Sequence, residues 1–207
     1  MIIMKKFIMC AVLAILLPVM AKAQFGIEGG YGHSGVTEKV SSVSQTVGFD
    51  GVYLLADYTF SILNHFSISP GLQYEFLTEN MKELVDAECR WNEHYIDIPV
   101  RFNYSFDVSK KVSLGAYAAP TLSFGIASKL NTRTLTKTSI NCYEFFQDNS
   151  EANYGRFDFM LGLGILCNVE NIRFRLGYDY GLVNRVSGVD DETLHRGRFQ
   201  IGIGYMF

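Results

Sequence analysis

Past Leu17 the sequence has no apolar run approaching the ~18 residues that a membrane-spanning helix requires. It contains one tryptophan, four prolines and four cysteines, which excludes both a proline-rich extended chain and a disulfide-dense small domain. Lysine is missing from the polar faces of all the alternating segments described below. What is plentiful is aromatic and small: 16 Phe, 12 Tyr and 19 Gly, a mixture that favours strands over helices.

The first 23 residues read as a cleaved export signal. Lys5 and Lys6 give a positive start, Phe7 to Leu17 is uninterrupted apolar sequence, Pro18 breaks it, and Ala21-Lys22-Ala23 is a small-x-small cleavage site. Cys10 lies near the beginning of the apolar run, whereas a lipid-accepting cysteine follows it, so lipidation is disfavoured. Taking these 23 residues from 207 leaves 184, residues 24–207, a length suited to one domain. Losing Lys5, Lys6 and Lys22 from 18 basic residues leaves 15 against 21 acidic ones, which gives no footprint for nucleic acid.

Period-two alternation organises the rest and places successive side chains on opposite faces of a sheet. Phe66, Ile68, Pro70, Leu72, Tyr74 and Phe76 share one face; Ser67, Ser69, Gly71, Gln73 and Glu75 share the other. The same test predicts eight strands near 24–33, 51–61, 65–76, 94–106, 112–126, 154–167, 172–183 and 198–207. Short connections at 62–64, 107–111 and 168–171 alternate with long ones at 34–50, 77–93, 127–153 and 184–197. That rhythm predicts an all-β, eight-stranded antiparallel up-and-down transmembrane β-barrel in an outer membrane, with both termini periplasmic.

The two faces set the orientation. The apolar phase, including Val52, Leu54, Ile96, Ile98, Leu161, Leu163, Phe174 and Leu176, carries no formal charge. The opposite phase supplies a candidate polar lumen from Glu28, Asp57, Glu75, Asp97, Arg101, Arg156, Asp158, Arg173, Arg175 and Asp179. Mixed signs and small residues suit the inside of a narrow barrel whose side chains pair with one another. Lipid outside is therefore expected; a soluble periplasmic lipid-binding barrel would turn the apolar phase inward. Pro70, Pro99 and Pro120 fall within predicted strands and are read as members of the apolar phase, where bulges or broken pairing are expected.

Tyr95-Ile96-Asp97-Ile98-Pro99-Val100-Arg101-Phe102-Asn103-Tyr104 resembles the proline-bearing strand of the PorT-like outer-membrane barrels of the Bacteroidota. Phe157-Asp158-Phe159 with Gly162 and Gly164, and Tyr178-Asp179-Tyr180-Gly181-Leu182-Val183-Asn184, are similar to that family's last hairpin. The resemblance covers the mature chain and implies a barrel in contact with outer-membrane lipids, without assigning an activity. Tyr205 and Phe207 resemble the C-terminal signal read by the barrel-assembly machinery, which makes that machinery an expected partner during insertion.

Few residues point to chemistry. His33, His94 and His195 fall near outer strand ends, but no element carries a paired ligand motif. His33-Ser34 lacks an indicated third group for nucleophilic catalysis. The expectation is a non-enzymatic barrel without cofactor or metal. Gly162 and Gly164, like Gly202 and Gly204, lie inside strands and permit close packing rather than phosphate binding. Cys89 and Cys142 fall in predicted outer loops, where export permits a disulfide; a bridge and two free thiols both fit the sequence. The 127–153 loop, with Tyr143, Phe145 and Phe146, is the candidate contact surface for an envelope partner, although these aromatics could equally fold over the rim. The rival functions are a small transport pore and an accessory barrel of a secretion complex.

Overall fold

The computed structural model describes residues 23–40, 43–84, 87–133, 137–144, 153–188 and 192–207. The predicted leader up to Lys22, with Cys10, and the loop residues Phe145 and Phe146 lie outside the described residues. The strands are β1 (Gln24–Val40), β2 (Val43–Ser61), β3 (Phe66–Leu84), β4 (Ala87–Ser109), β5 (Val112–Arg133), β6 (Lys137–Asn141), β7 (Asn153–Tyr154), β8 (Phe157–Val169), β9 (Ile172–Gly181), β10 (Val186–Ser187) and β11 (Glu192–Met206).

Eight of these close a ring in the order β1-β2-β3-β4-β5-β8-β9-β11, with β11 returning to β1 and every pair antiparallel. Closure gives the backbone polar groups of each strand a neighbour on both sides, the condition for crossing hydrocarbon as a sheet. Strand β6 folds back on the end of β5 away from the termini, and β7 and β10 form a small separate pair.

Outward residues are apolar and exposed: Val52 at 59%, Leu163 at 65% and Ile203 at 54%. Aromatics mark both ends of this band. Phe25, Tyr58, Phe66, Tyr104, Tyr205 and Phe207 form the belt near the termini, while Tyr31, Tyr74, Phe124, Phe157 and Tyr180 form the other. Such belts place amphipathic rings at the two membrane–water boundaries. The inward phase is polar, the reverse of a lipid-binding barrel.

The described residues of the segments expected as loops at 34–50 and 77–93 are instead strand. β1 and β2 stay paired through Val36↔Val47 and Thr37↔Thr46 up to Val40↔Val43, and β3 and β4 continue to Leu84↔Ala87. Beyond the belt there is no lipid to enforce an apolar face, so the hydrophobic alternation fades although the ladder persists. The expected 127–153 loop likewise contains the end of β5, all of β6 and the start of β7. The connections at the other end are tight, with Lys110-Lys111 and Glu170-Asn171 as two-residue turns joined by a 2.6 Å Lys111–Glu170 ion pair.

The three prolines interrupt pairing without shifting register. Pro70 lies opposite Val100, and the β4–β5 ladder breaks between Pro99↔Thr121 and Phe102↔Ala118, the stretch that contains Pro120. Three neighbouring strands thus lose donors along one line, as prolines must cause. One expectation needs correction: Pro99 is buried on the lumen side, because the phase of Ile98 and Val100 points outward.

Candidate functional site

The lumen is the most chemically dense part of the molecule. Among the described residues, six arginines (101, 173, 175, 185, 196 and 198) and seven carboxylates (28, 57, 75, 93, 97, 158 and 179) are buried there, so the interior nearly neutralises itself. Nearest the termini, Arg175 donates to Glu28 at 2.6 Å, Arg173 to Asp57 at 2.8 Å, and Arg101 joins the same Asp57. Tyr53 adds a 2.7 Å bond to Glu28. Strands β1, β2, β4 and β9 supply these groups, so the cluster ties opposite walls together.

Midway along, Arg198 donates to Glu75 at 3.0 Å, to Asp179 at 2.7 Å, and to Asp97. Gln200 links the two tiers, accepting from Arg175 at 3.3 Å and donating to Glu75 at 3.2 Å. The cavity remaining between Arg101, Tyr117, Arg175, Asp179, Arg198 and Gln200 measures about 10 Å³. That is roughly the smallest space that holds one water molecule.

The mouth away from the termini is filled differently, by tyrosines around cations. Arg196 lies 3.9 Å above the Tyr95 ring, and Arg185 donates to the Tyr95 hydroxyl at 3.0 Å. Tyr95 in turn donates to Glu93 at 2.6 Å. Tyr143 and Tyr154 stack with ring centres 5.3 Å apart, and Arg185 lies over the Tyr154 ring. A small apolar cluster of Phe49, Leu77 and Tyr95, with Val36, Val47 and Trp91 against it, completes the cap.

Nine of the ten expected lumen residues are therefore buried together, and Arg156 is not. It is exposed beyond the start of β8, with its guanidinium 4.6 Å over Tyr143. Asp158 is buried but peripheral, accepting from the Val183 amide at 3.3 Å. Glu93, Arg196 and Arg198 were missed as lumen residues; continuing the alternation from Asp97 back to Glu93, and from Gln200 back to Arg196, would have found them. Arg185 carried no such signal, since it reaches the mouth from a segment outside the ring. Tyr143 is likewise buried in the mouth rather than presented as a contact surface.

Cys89 and Cys142 are free thiols. Cys89 lies opposite Thr132 on β5, while Asn141, just before Cys142, lies opposite Lys129 from the other side of that strand. Asn141 is thus offset from Cys89 by three residues along β5 and two strand spacings across it, which puts Cys142 well beyond the ~7 Å Cα limit for a bridge. The histidines do not converge: His33 and His195 line one groove, but His94 lies on β4 and bonds Tyr74 at 2.6 Å.

Glycine makes this packing possible at two positions. A Cβ at Gly202 would collide with the Tyr53 hydroxyl, and one at Gly162 with the Asp179 carboxylate. The arrangement braces the wall from within.

Residues 7–207 match the family model described as outer membrane protein beta-barrel domain. No curated protein sequence matches the chain. Among solved structures, the attachment invasion locus protein Ail of Yersinia pestis, crystallised with the heparin analogue sucrose octasulfate, is similar in fold. It is 18% identical, with 89% of this chain and 99% of that chain covered at a TM-score of 0.50. Neisserial surface protein A is 13% identical over 89% and 99% of the respective chains, at a TM-score of 0.46. The family match extends over nearly all of the sequence and agrees with the closed ring and its apolar exterior, and the chain accordingly belongs to the outer membrane protein beta-barrel domain family.

Proposed function

We propose that this protein is a non-enzymatic, non-conducting outer-membrane barrel that carries paired β-ribbons to the cell surface. In this reading both termini are periplasmic, residues 1–23 are removed on export, and Tyr205 and Phe207 are read by the barrel-assembly machinery. The Tyr95–Tyr104 strand supports a PorT-like subfamily. The observation that carries the proposal is Arg198, bonded to carboxylates from three other strands beside a cavity of about 10 Å³. A permeating ion would have to break several charge-assisted bonds at once, each worth about 1.5–3 kcal/mol. Planar-bilayer recordings of the purified protein should show a silent membrane; reproducible unitary current steps would replace this reading with the transport pore.

A further inference from the structure

Above the outer belt, β2 and β3 part company. The β1–β2 ladder runs unbroken to Val40↔Val43, but the β2–β3 ladder begins only at Asp50↔Thr78. Among the described residues, nothing pairs with the second side of residues 43–49. β3 beyond Thr78 turns its pairing to β4 alone, through Glu79↔Trp91 and Asn80↔Arg90.

An open edge carries a row of backbone N–H and C=O groups ready to template another strand, and natural edges are usually blunted by lysine, proline, a bulge or short length. Val43-Ser44-Gln45-Thr46-Val47-Gly48-Phe49 has no charge and no proline, and its ladder with β1 has no bulge. The opposite bank carries a charge at Glu79. The open segment is also held in place. Val47 packs against the Phe49, Leu77 and Tyr95 cluster, and Thr46 is 2.9 Å from Thr37 on β1. Its backbone is already paired with β1 on one side, and pre-organisation of that kind lowers the entropic cost of binding.

We propose that residues 43–49 form a β-augmentation edge that receives an extended peptide segment of a partner protein outside the cell. The proposal rests on the reading that the hairpins face the exterior. Main-chain bonds would supply affinity and alternate side chains the selectivity. A fitting segment is uncharged and free of proline at bonding positions, with small or hydroxyl side chains beside Ser44, Thr46 and Gly48 and apolar ones beside Val43 and Val47. A second copy fits poorly. Copies inserted in one membrane present this strand in the same upward sense, which excludes antiparallel pairing. A two-fold axis along the membrane normal would also set donor against donor at equal heights.

The test uses the whole protein in lipid nanodiscs and an end-blocked peptide of alternating threonine and valine, of matching length. Amide hydrogen exchange reports the edge. The alternate amides of residues 43–49 that face away from β1 should exchange freely in the protein alone and slow on the order of tenfold with peptide. A peptide methylated at its bonding backbone nitrogens should leave them unchanged. The proposal is overturned if these amides are already protected at every protein concentration, if protection grows with protein concentration alone, or if both peptides act alike or neither acts. Labelling of Ser44→Cys on intact cells by a membrane-impermeant maleimide checks the topology separately. Failure to label overturns the outward reading, whereas labelling without a peptide effect overturns the edge alone.

Discussion

Arg198 of β11 donates to Glu75 of β3 at 3.0 Å, a bond across the lumen between residues 123 positions apart in sequence. The same guanidinium holds Asp97 and Asp179, so three buried carboxylates share one cation. Removing one partner from a buried charge network leaves the others unpaired, and such losses run to about 3–5 kcal/mol. Arg198→Met should therefore lower stability by that amount in urea unfolding from vesicles, and Arg198→Lys by less, because it keeps the charge without the planar fork. A methionine variant as stable as the parent would show that the lumen network is dispensable.

Gly202 and Tyr53 make a second interlocking pair. The Tyr53 hydroxyl occupies the space where a Cβ at position 202 would lie, while it bonds Glu28. Gly202→Ala should destabilise by about 1–3 kcal/mol, the usual effect of overpacking. Tyr53→Phe removes the colliding oxygen, so the double variant should lose less than the two single losses added together. Strict additivity in a double-mutant cycle would refute the steric account.

The ring was legible in the sequence wherever lipid imposes a rule. Along β9, Ile172, Phe174, Leu176, Tyr178 and Tyr180 alternate with Arg173, Arg175, Gly177, Asp179 and Gly181, and each side chain faces as its type demands. Legibility ended at the aromatic belt. Thr37, Glu38 and Lys39 remain in a ladder, yet water on both faces tolerates any order of side chains, so a paired ribbon reads as a loop. Arg156 shows the opposite failure: extending the phase of Asp158 one step beyond the start of β8 assigned it to the lumen, and the chain has already left the sheet there. Contacts such as Arg185 on Tyr95 join residues 90 apart through an irregular segment and leave no periodic trace.

The cysteines should differ in reactivity. Cys142 is buried in the mouth, and burial pushes its thiol above the ordinary range, so thiolate remains scarce near neutral pH. Cys89 is partly exposed near the start of β4. Maleimide added to folded protein near pH 7 should modify Cys89 well before Cys142, and denaturation should release Cys142. Raising the pH increases the thiolate fraction at Cys142 but not its access, so its labelling should stay slow while the barrel is folded. Mass spectrometry follows each site, and a disulfide-linked peptide pair from non-reduced protein would contradict the free-thiol arrangement.

A charge scanned along β8 tests which face meets lipid. Leu163 lies outward in the middle of the band, flanked across the sheet by Ala118 and Tyr178, whereas Val169 ends the strand at the turn. In a transmembrane barrel, arginine costs about 2–4 kcal/mol at the bilayer midplane and about 0–1 near the interface. Leu163→Arg should therefore be strongly destabilising in vesicles and Val169→Arg nearly neutral. In detergent micelles, whose apolar layer yields around a charge, the gap between them should shrink. A soluble barrel with an outward polar requirement would give the reverse at Leu163, since arginine on a watered face is tolerated. Equal stability of the two variants in vesicles would remove the depth dependence on which the lipid-facing assignment depends.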